Sequence, residues 1–311
     1  MTDQPTSTPP EPHRLTLMTV HAHPDDETIS AGGVMAKAVA DGHRVVLVTC
    51  TRGEQGEIVV KELDTPDNHR KLGEIRAREL EEAMAELGVT EWENLGYRDS
   101  DMMGREGNHD PRTFWQADLD EAAGRLTWLV RHYQPDVMTT YNSFGGYGHP
   151  DHIRVHDVSV RAFERAGDPA WYPKQLEAGL APWAPSKLYE TAIPRSVREA
   201  MREAMKEAGK PSFWDPPEDA TPEQLAEHKA FMDKMLVEDD QITTWVDISG
   251  DAIDRKWRAI QRHVTQIAMD SGFMLFGEAG WKEHWAKEAF VLRESRVETA
   301  KPESDLFAGL R

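Results

Sequence analysis

The chain has 311 residues, of which 39% are hydrophobic and 29% are charged, so it is long enough to bury a sizeable core and has the composition of a globular protein. Its formal net charge of −19 argues against a nucleic-acid surface, because such surfaces need Lys and Arg to meet phosphates. Cys50 is the sole cysteine, which excludes an intrachain disulfide and favours a reducing cytoplasm, and no apolar run approaches the ~20 residues that span a bilayer.

The N-terminal half predicts strands and helices in alternation. It starts with residues 1–13, which are rich in Pro, Thr and Ser and predict a disordered tail. Strands are predicted at 14–20, 44–50, 92–95 and 136–141, and helices at 29–41, 68–87, 117–133 and 153–166. This order, with nearly continuous apolar strands, predicts an α/β fold in which helices cover both faces of a parallel sheet.

The pattern loosens after about residue 170. Two more strands are predicted at 187–193 and 242–248, and three more helices at 195–208, 221–236 and 250–267. Linker signals are weak, so residues 171–311 are expected to be a C-terminal α/β extension that completes the same domain as a catalytic core over 14–170.

The stretch "VHAHPDDETISAGG", Val20 to Gly33, carries three consecutive acids directly after the first predicted strand. The acids repel one another, and a divalent cation would neutralise them. Ligands in open parallel sheets bind at the carboxyl ends of strands, where this stretch lies. His23 and Asp26 offer nitrogen and oxygen ligands that zinc accepts. The alternative is a solvated turn in which Asp25 or Asp26 caps the next helix.

A second stretch, "NSFGGYGHPDHIRVH" at 142–156, also follows a predicted strand. Catalytic zinc commonly has three protein ligands and one position left for water. His23 and Asp26 supply two ligands, and either His149 or His152 can supply the third. Each histidine alone is more simply a core or capping residue, but two His-Pro-Asp elements at strand ends favour a metal site.

The same residues suit amide hydrolysis, which needs an activated water, an oxyanion stabiliser and a proton for the leaving amine. Asp25 lies beside ligand Asp26 and can take the proton of the water. His149, if protonated, can pair with the oxyanion or protonate the nitrogen, and Asp151 can keep it protonated because a nearby carboxylate raises a histidine pKa. A non-catalytic, metal-dependent sugar-binding protein would need neither Asp25 nor His149, so their presence favours an enzyme.

Four motifs carry a resemblance to a known family: "AHPDDE" at 22–27, "TRGEQGE" at 51–57, "YRDSDM" at 97–102 and "GGYGHPDH" at 145–152. With them the chain resembles the GlcNAc-phosphatidylinositol de-N-acetylase superfamily, also called LmbE-like. Within it, the chain is most similar to the actinobacterial mycothiol enzymes, which are the biosynthetic deacetylase and the mycothiol S-conjugate amidase.

The resemblance implies a Rossmann-like sheet and a mononuclear zinc hydrolase, with Fe²⁺ as another possible metal. It implies that His23, Asp26 and His152 hold the ion. Asp25 would be the general base, and His149 would face the scissile carbonyl. The implied partner is a small N-acylated amino sugar. Neither nucleic acid nor a membrane is expected as a partner, and a homo-oligomer is possible.

The resemblance also assigns residues to the substrate. Tyr147 would polarise the scissile carbonyl, and Arg76, Asp99 and Glu57 would bind sugar and inositol hydroxyls, although Arg76 can equally lie on a solvated helix face. Ser30 occupies the place where the amidases carry a lysine. Ser30 therefore predicts that the substrate carries a small acyl group, above all acetyl, on a glucosamine linked to inositol. The alternatives are a mycothiol S-conjugate amidase and a deacetylase of another GlcNAc-containing metabolite.

Overall fold

The computed structural model describes residues 14–207, 209, 212, 215–217, 219–270 and 272–310, and the predicted tail at 1–13 lies outside this range. Its strands are β1 (Thr16–His21), β2 (Arg44–Thr49), β3 (Glu91–Asn94), β4 (Val137–Thr140), β5 (Lys187–Pro194), β6 (Leu236–Val237), β7 (Thr244–Asp247) and β8 (Lys287–Ser295). They form one sheet in the order β3-β2-β1-β4-β5-β8-β7, and β6 pairs with β5 beside this path.

The sheet is parallel from β3 to β5 and antiparallel where β8 meets its two neighbours. The predicted α/β class and mostly parallel sheet are therefore confirmed. Because β1, β2 and β4 run in the same direction, the loops that follow them leave the sheet at one edge.

The helices are α1 (Asp26–Ala40), α2 (Pro66–Arg70), α3 (Leu72–Leu87), α4 (Leu119–Tyr133), α5 (Gly145–Gly148), α6 (Pro150–Arg165), α7 (Pro173–Glu177), α8 (Arg195–Glu207), α9 (Pro222–Met235), α10 (Asp251–Ile260) and α11 (Gly277–His284). Short 3₁₀ turns lie at Glu106–His109, Phe114–Gln116, Asp239–Gln241 and Gly272–Phe276. None of the described helices is long and apolar enough to cross a membrane.

Both faces of the sheet are buried, as predicted. Side chains of a strand alternate between the two faces, and β1 shows this with Leu17 in one apolar cluster and Met18 in the other. The first cluster packs α1, α3 and α10 on the sheet, and the second packs α4 and α6 on the opposite face. All six residues of β1 are buried, because it lies inside the sheet with helices on both sides.

Several elements differ from the sequence-based predictions: α5, α7, α11 and β6 were not predicted, and two further differences affect the core of the fold. The helix predicted at 250–267 ends at Ile260, because His263 and Thr265 turn inward and bond to the buried carboxylates of Glu27 and Glu79. The strand β8 was not predicted at all. It lies between β5 and β7, so it makes the sheet mixed and joins the C-terminal part of the chain to the first half in one sheet.

Candidate active site

The turn between β1 and α1 places the first motif at the carboxyl edge of the sheet. The backbone N–H of His23 donates to Asp26 Oδ2 at 3.0 Å, which folds the turn over the start of α1. Asp25 precedes the helix with φ 125, a conformation that non-glycine residues rarely adopt, and its side chain makes no capping hydrogen bond. Asp25 thus lies at the N-cap position, but its side chain does not cap the helix as the alternative interpretation required.

The second motif approaches the first from the end of β4. His149 caps α6, where its Nδ1 accepts the Asp151 backbone N–H at 3.1 Å, and Pro150 fills the first helical position. His152 lies in the first turn of this helix. Gly145, with φ 68, passes so close that an added Cβ would lie 2.7 Å from the His152 Cβ, so only glycine fits there.

Three atoms from these two motifs form an equilateral arrangement. His23 Nδ1 and His152 Nε2 are 3.3 Å apart, and each lies 3.3 Å from Asp26 Oδ2. A tetrahedral zinc site with bonds of about 2.0–2.1 Å has ligand atoms separated by about 3.3 Å. The structure thus brings the three predicted ligands together at a spacing that fits a zinc-type ion.

The charges around these atoms favour a cation. Burial alone would raise the pKa of Asp26, but His152 and His23 outweigh it and hold that pKa well below its usual range. Burial opposes a charge on His23, yet Asp99, Asp151 and Asp26 raise its pKa well above the ordinary value. The site therefore stabilises positive charge between its carboxylates.

Asp151 does not have its predicted role. Its carboxylate does not contact the His149 ring, and Oδ2 lies 3.2 Å from His23 Nε2 instead. The backbone N–H of Ser100 donates to Oδ2 at 3.0 Å, and the Ser100 hydroxyl donates to Oδ1. A carboxylate on the far nitrogen of a metal-ligating histidine fixes its tautomer. Asp151 would therefore leave Nδ1 of His23 available to a metal ion.

His149 is neutral rather than protonated as predicted. Since Nδ1 accepts a backbone N–H, the single proton of the ring is on Nε2. Burial lowers the pKa of His149 far below its ordinary value, and His23 and His152 lower it further. His149 is thus a neutral N–H donor.

Arg76 supports Asp25 instead of presenting itself to a substrate. Its buried guanidinium lies 3.2 Å from Asp25 Oδ1 and donates to the carbonyls of Pro24 and Gly53 at 2.6 and 3.0 Å. Burial raises the pKa of Asp25 to about 6, and Arg76 opposes that rise. The predicted contact between Arg76 and a sugar is therefore corrected to a positioning contact with Asp25.

The third acid of the motif, Glu27, is a structural residue. Its buried carboxylate accepts the Asp25 backbone N–H at 2.8 Å and lies 3.0 Å from His263 Nε2. The ion pair lowers the pKa of Glu27 against the effect of burial. Sequence reasoning missed His263 as a partner of this motif, because 236 residues separate the two and no local pattern joins them.

The two predicted sugar ligands Asp99 and Glu57 differ in their distance from the site. Asp99 is buried at the site, with Oδ1 3.8 Å from His23 Nε2, and its carboxylate also accepts the backbone N–H groups of Gln55 and Asp101 at 3.1 and 2.9 Å. Glu57 has an exposed side chain, and its contact with Gln266 is made by its backbone carbonyl. Both assignments were made from motif text alone, which does not give the direction of a side chain.

Ser30 and Tyr147 line a cavity of about 780 Å³ together with Asp26 and His152. The hydroxyl of Tyr147 lies 3.4 Å from His152 Nε2, next to the three ligand atoms. The hydroxyl of Ser30 donates to the Asp26 carbonyl at 2.6 Å within its own helix. Tyr147 can therefore reach a group bound at the ligands, whereas the donor of Ser30 is already used.

Comparisons with known proteins give matches that together cover most of the chain. A family model described as GlcNAc-PI de-N-acetylase (PIG-L) matches residues 18–163. The chain is 42% identical to the 1D-myo-inositol 2-acetamido-2-deoxy-alpha-D-glucopyranoside deacetylase of Geodermatophilus obscurus, over 94% of this chain and 97% of the relative. It is 43% identical to a deacetylase of the same name, numbered 1, from Catenulispora acidiphila, over 98% and 92%. Its fold is similar to that of the N,N'-diacetylchitobiose deacetylase from Pyrococcus horikoshii, with a TM-score of 0.60, 21% identity, and 89% and 83% coverage.

Proposed function

The chain belongs to the GlcNAc-PI de-N-acetylase family, and from this premise we propose that it hydrolyses the acetamide of N-acetylglucosaminyl-inositol to acetate and the free amine. Two curated relatives that match this chain over nearly their full length are named for this activity. The observation that carries the proposal is the 3.3 Å triangle of His23, Asp26 and His152 beside the carboxylate of Asp25.

His23, Asp26 and His152 would hold the metal. When bound, a zinc-type ion acts as a Lewis acid toward the substrate carbonyl and lowers the pKa of a bound water molecule toward ~7. Imidazole and carboxylate ligands also suit Fe²⁺, so the donor set is compatible with either metal.

Asp25 is the proposed general base. Arg76 holds its carboxylate next to the ligand Asp26. A pKa of about 6 leaves Asp25 ionised at neutral pH and still able to carry a proton. It accepts the proton of the attacking water, and the same proton then passes to the nitrogen as the C–N bond breaks. The second proton of the water also ends on the nitrogen, so water and amide are converted into acetate and the protonated amine.

His149 and Tyr147 are the proposed donors to the oxygen on which negative charge develops. His149 offers Nε2–H, because its other nitrogen accepts the Asp151 amide. Tyr147 offers its hydroxyl next to His152 Nε2. Donors fixed before the reaction stabilise the oxyanion without having to reorganise.

A mycothiol S-conjugate amidase is the second candidate. The observation that favours it is the size of the cavity beside Tyr147, which at about 780 Å³ exceeds the volume that an acetyl group needs. A large cysteinyl acyl group would occupy more of that space.

The test compares kcat/KM for N-acetylglucosaminyl-inositol and for a mycothiol S-conjugate, with one zinc-loaded preparation. N-acetylglucosamine without inositol is the control for a less selective deacetylase. We expect the inositol-linked substrate to be cleaved faster than free N-acetylglucosamine and faster than the conjugate. A clear preference for the conjugate would assign the chain to the amidases instead.

A further inference from the structure

An apolar extension of the cavity remains without a role in the proposed reaction. It starts at the catalytic residues and runs between β5 and the helices α8 and α9 of the C-terminal part. Its apolar lining includes Ile193, Val197, Met201, Phe231, Met232 and Met235. We refer to the part lined by these six side chains as the acyl cavity.

The position of the catalytic groups indicates which end of a substrate faces the acyl cavity. The amide nitrogen must lie near Asp25, which passes the proton of the water to it. Among the described residues, Asp25 does not line the cavity, whereas Asp26, Tyr147 and His152 do. The substituent on the carbonyl carbon points away from the nitrogen, so it points into the cavity.

The chemistry of the lining suits a hydrocarbon group. The whole cavity, including its catalytic end, has a volume of about 780 Å³, which is in the range that holds a drug-sized ligand, while acetyl offers a single methyl group. Sugar hydroxyls buried against these apolar side chains would lose hydrogen bonds to water. Two charged pairs of the lining are already joined, Lys256 with Glu288 at 2.7 Å and Arg198 with Asp215 at 3.7 Å.

We propose that the acyl cavity binds the acyl group of the substrate and accepts apolar acyl chains longer than acetyl. This inference rests on the proposed amide hydrolysis and changes its acyl selectivity. The preference for a small acyl group was predicted from Ser30, but the Ser30 hydroxyl donates to its own helix and does not restrict the acyl end.

The test uses N-acetyl, N-butyryl and N-hexanoyl forms of glucosaminyl-inositol with the zinc-loaded full chain. Each buried methylene contributes about fourfold to binding. We expect kcat/KM to rise on the order of tenfold from acetyl to hexanoyl, since part of that gain is lost in ordering the chain. Val197→Trp fills the acyl cavity and should return the hexanoyl-to-acetyl ratio to about one. Ala204→Trp, on the same helix but outside the lining, is the matched control and should keep the wild-type ratio.

The ratio is compared within each variant, so a lower yield of active protein does not affect it. Met201→Gln, which places an amide in the acyl cavity, is the second variant and should also lower the ratio. The acyl subsite is overturned if the hexanoyl-to-acetyl ratio of the wild-type protein is below one, or if it is raised and both cavity variants retain it. In either case turnover of the acetyl substrate upholds the proposed function. If none of the three amides is hydrolysed, both the acyl subsite and the proposed function are overturned.

Discussion

At the residue scale, each of the three consecutive acids has a different environment. They are Asp25, Asp26 and Glu27. Asp25 faces Arg76, Asp26 faces the two histidines, and Glu27 is buried against His263. Their mutual repulsion is offset because each carboxylate leaves the turn in its own direction and meets a different donor. The unusual φ of 125 at Asp25 is part of this arrangement, since it turns that carboxylate away from the helix end.

Asp25→Asn is expected to keep one metal ion per chain and lose about 10²–10⁴-fold in kcat, because an amide cannot accept the proton of the water. Elemental analysis and acetate release, measured on the same preparation, provide the two readouts. Asp41→Asn, at the other end of α1, removes the same charge at an exposed position and should retain turnover. Near-normal turnover by a metal-loaded Asp25→Asn protein would eliminate Asp25 as the base.

Ser100→Ala is expected to weaken zinc binding about tenfold, the lower end of the loss that follows from disturbing the partners of a metal ligand. Ser100 is buried and holds both oxygens of Asp151, which in turn contacts His23. Competition with a chelator measures the zinc affinity, and thermal unfolding of the metal-free protein measures stability.

The control is Ser159→Ala, because Ser159 is equally buried and its hydroxyl has no hydrogen-bond partner among the described residues. A merely structural role for Ser100 would lower the unfolding temperature and leave the zinc affinity at the wild-type value. That outcome would remove Ser100 and Asp151 from the account of the metal site.

The sequence was sufficient for the residues whose role depends on residue type and on position at a strand end. His23, Asp26 and His152 come together because β1 and β4 are parallel neighbours whose carboxyl ends share one edge. The role of Arg76 was not predictable in this way. Its acceptors are backbone carbonyls of Pro24 and Gly53, which lie in two loops far from α3 in the chain.

The periodic elements at the centre of the fold were predictable at the element scale. The strands β1, β2 and β4 are nearly continuous apolar runs, and their bounds differ by one or two residues from those predicted. β8 was missed because only part of it is buried and charged residues lie at both of its ends. The helix α10 was predicted too long, because the buried contacts of His263 and Thr265 outweigh the helical pattern of the residues after Ile260.

A buried carboxylate helps to attach the C-terminal segment to the sheet. Glu303 accepts hydrogen bonds from Lys187 at 2.7 Å, Tyr189 at 2.6 Å and Thr244 at 2.8 Å, so it links β5 to β7 across β8. Burial alone would raise the pKa of Glu303, but these donors hold it below its ordinary value of 4.5. Its contribution to stability is therefore present above pH 4.5 and is lost as the pH falls through the lowered pKa.

Glu303→Gln is expected to lower the free energy of unfolding at pH 7 by about 3 kcal/mol, because it leaves the buried Lys187 without its counter-charge. The difference from the wild-type protein should shrink as the pH falls below 4.5. Urea unfolding at pH 7 and at pH 4 gives both values. Glu298→Gln, at an exposed position, is the control. A loss that is the same at both pH values would mean that the charge of Glu303 does not stabilise the fold.

At the scale of the whole molecule, the two halves of the chain meet at the catalytic edge of one sheet. In the proposed mechanism the first half provides the metal ligands, the base and the donors, and the second half covers them with β5, α8 and α9. The family match covers residues 18–163, whereas the cavity is lined largely by residues after 190. We therefore expect the chemistry to follow the family and the acyl selectivity to depend on the C-terminal part.

The central claim is that a metal ion held by His23, Asp26 and His152 enables this chain to deacetylate N-acetylglucosaminyl-inositol. The most direct measurement is acetate release from that substrate as zinc is added back to the metal-stripped protein, with His152→Ala in parallel. We predict no release without metal, a rise that levels off at one ion per chain, and no recovery in the variant. Full turnover by the stripped protein, or full recovery of His152→Ala at one ion per chain, would contradict the claim.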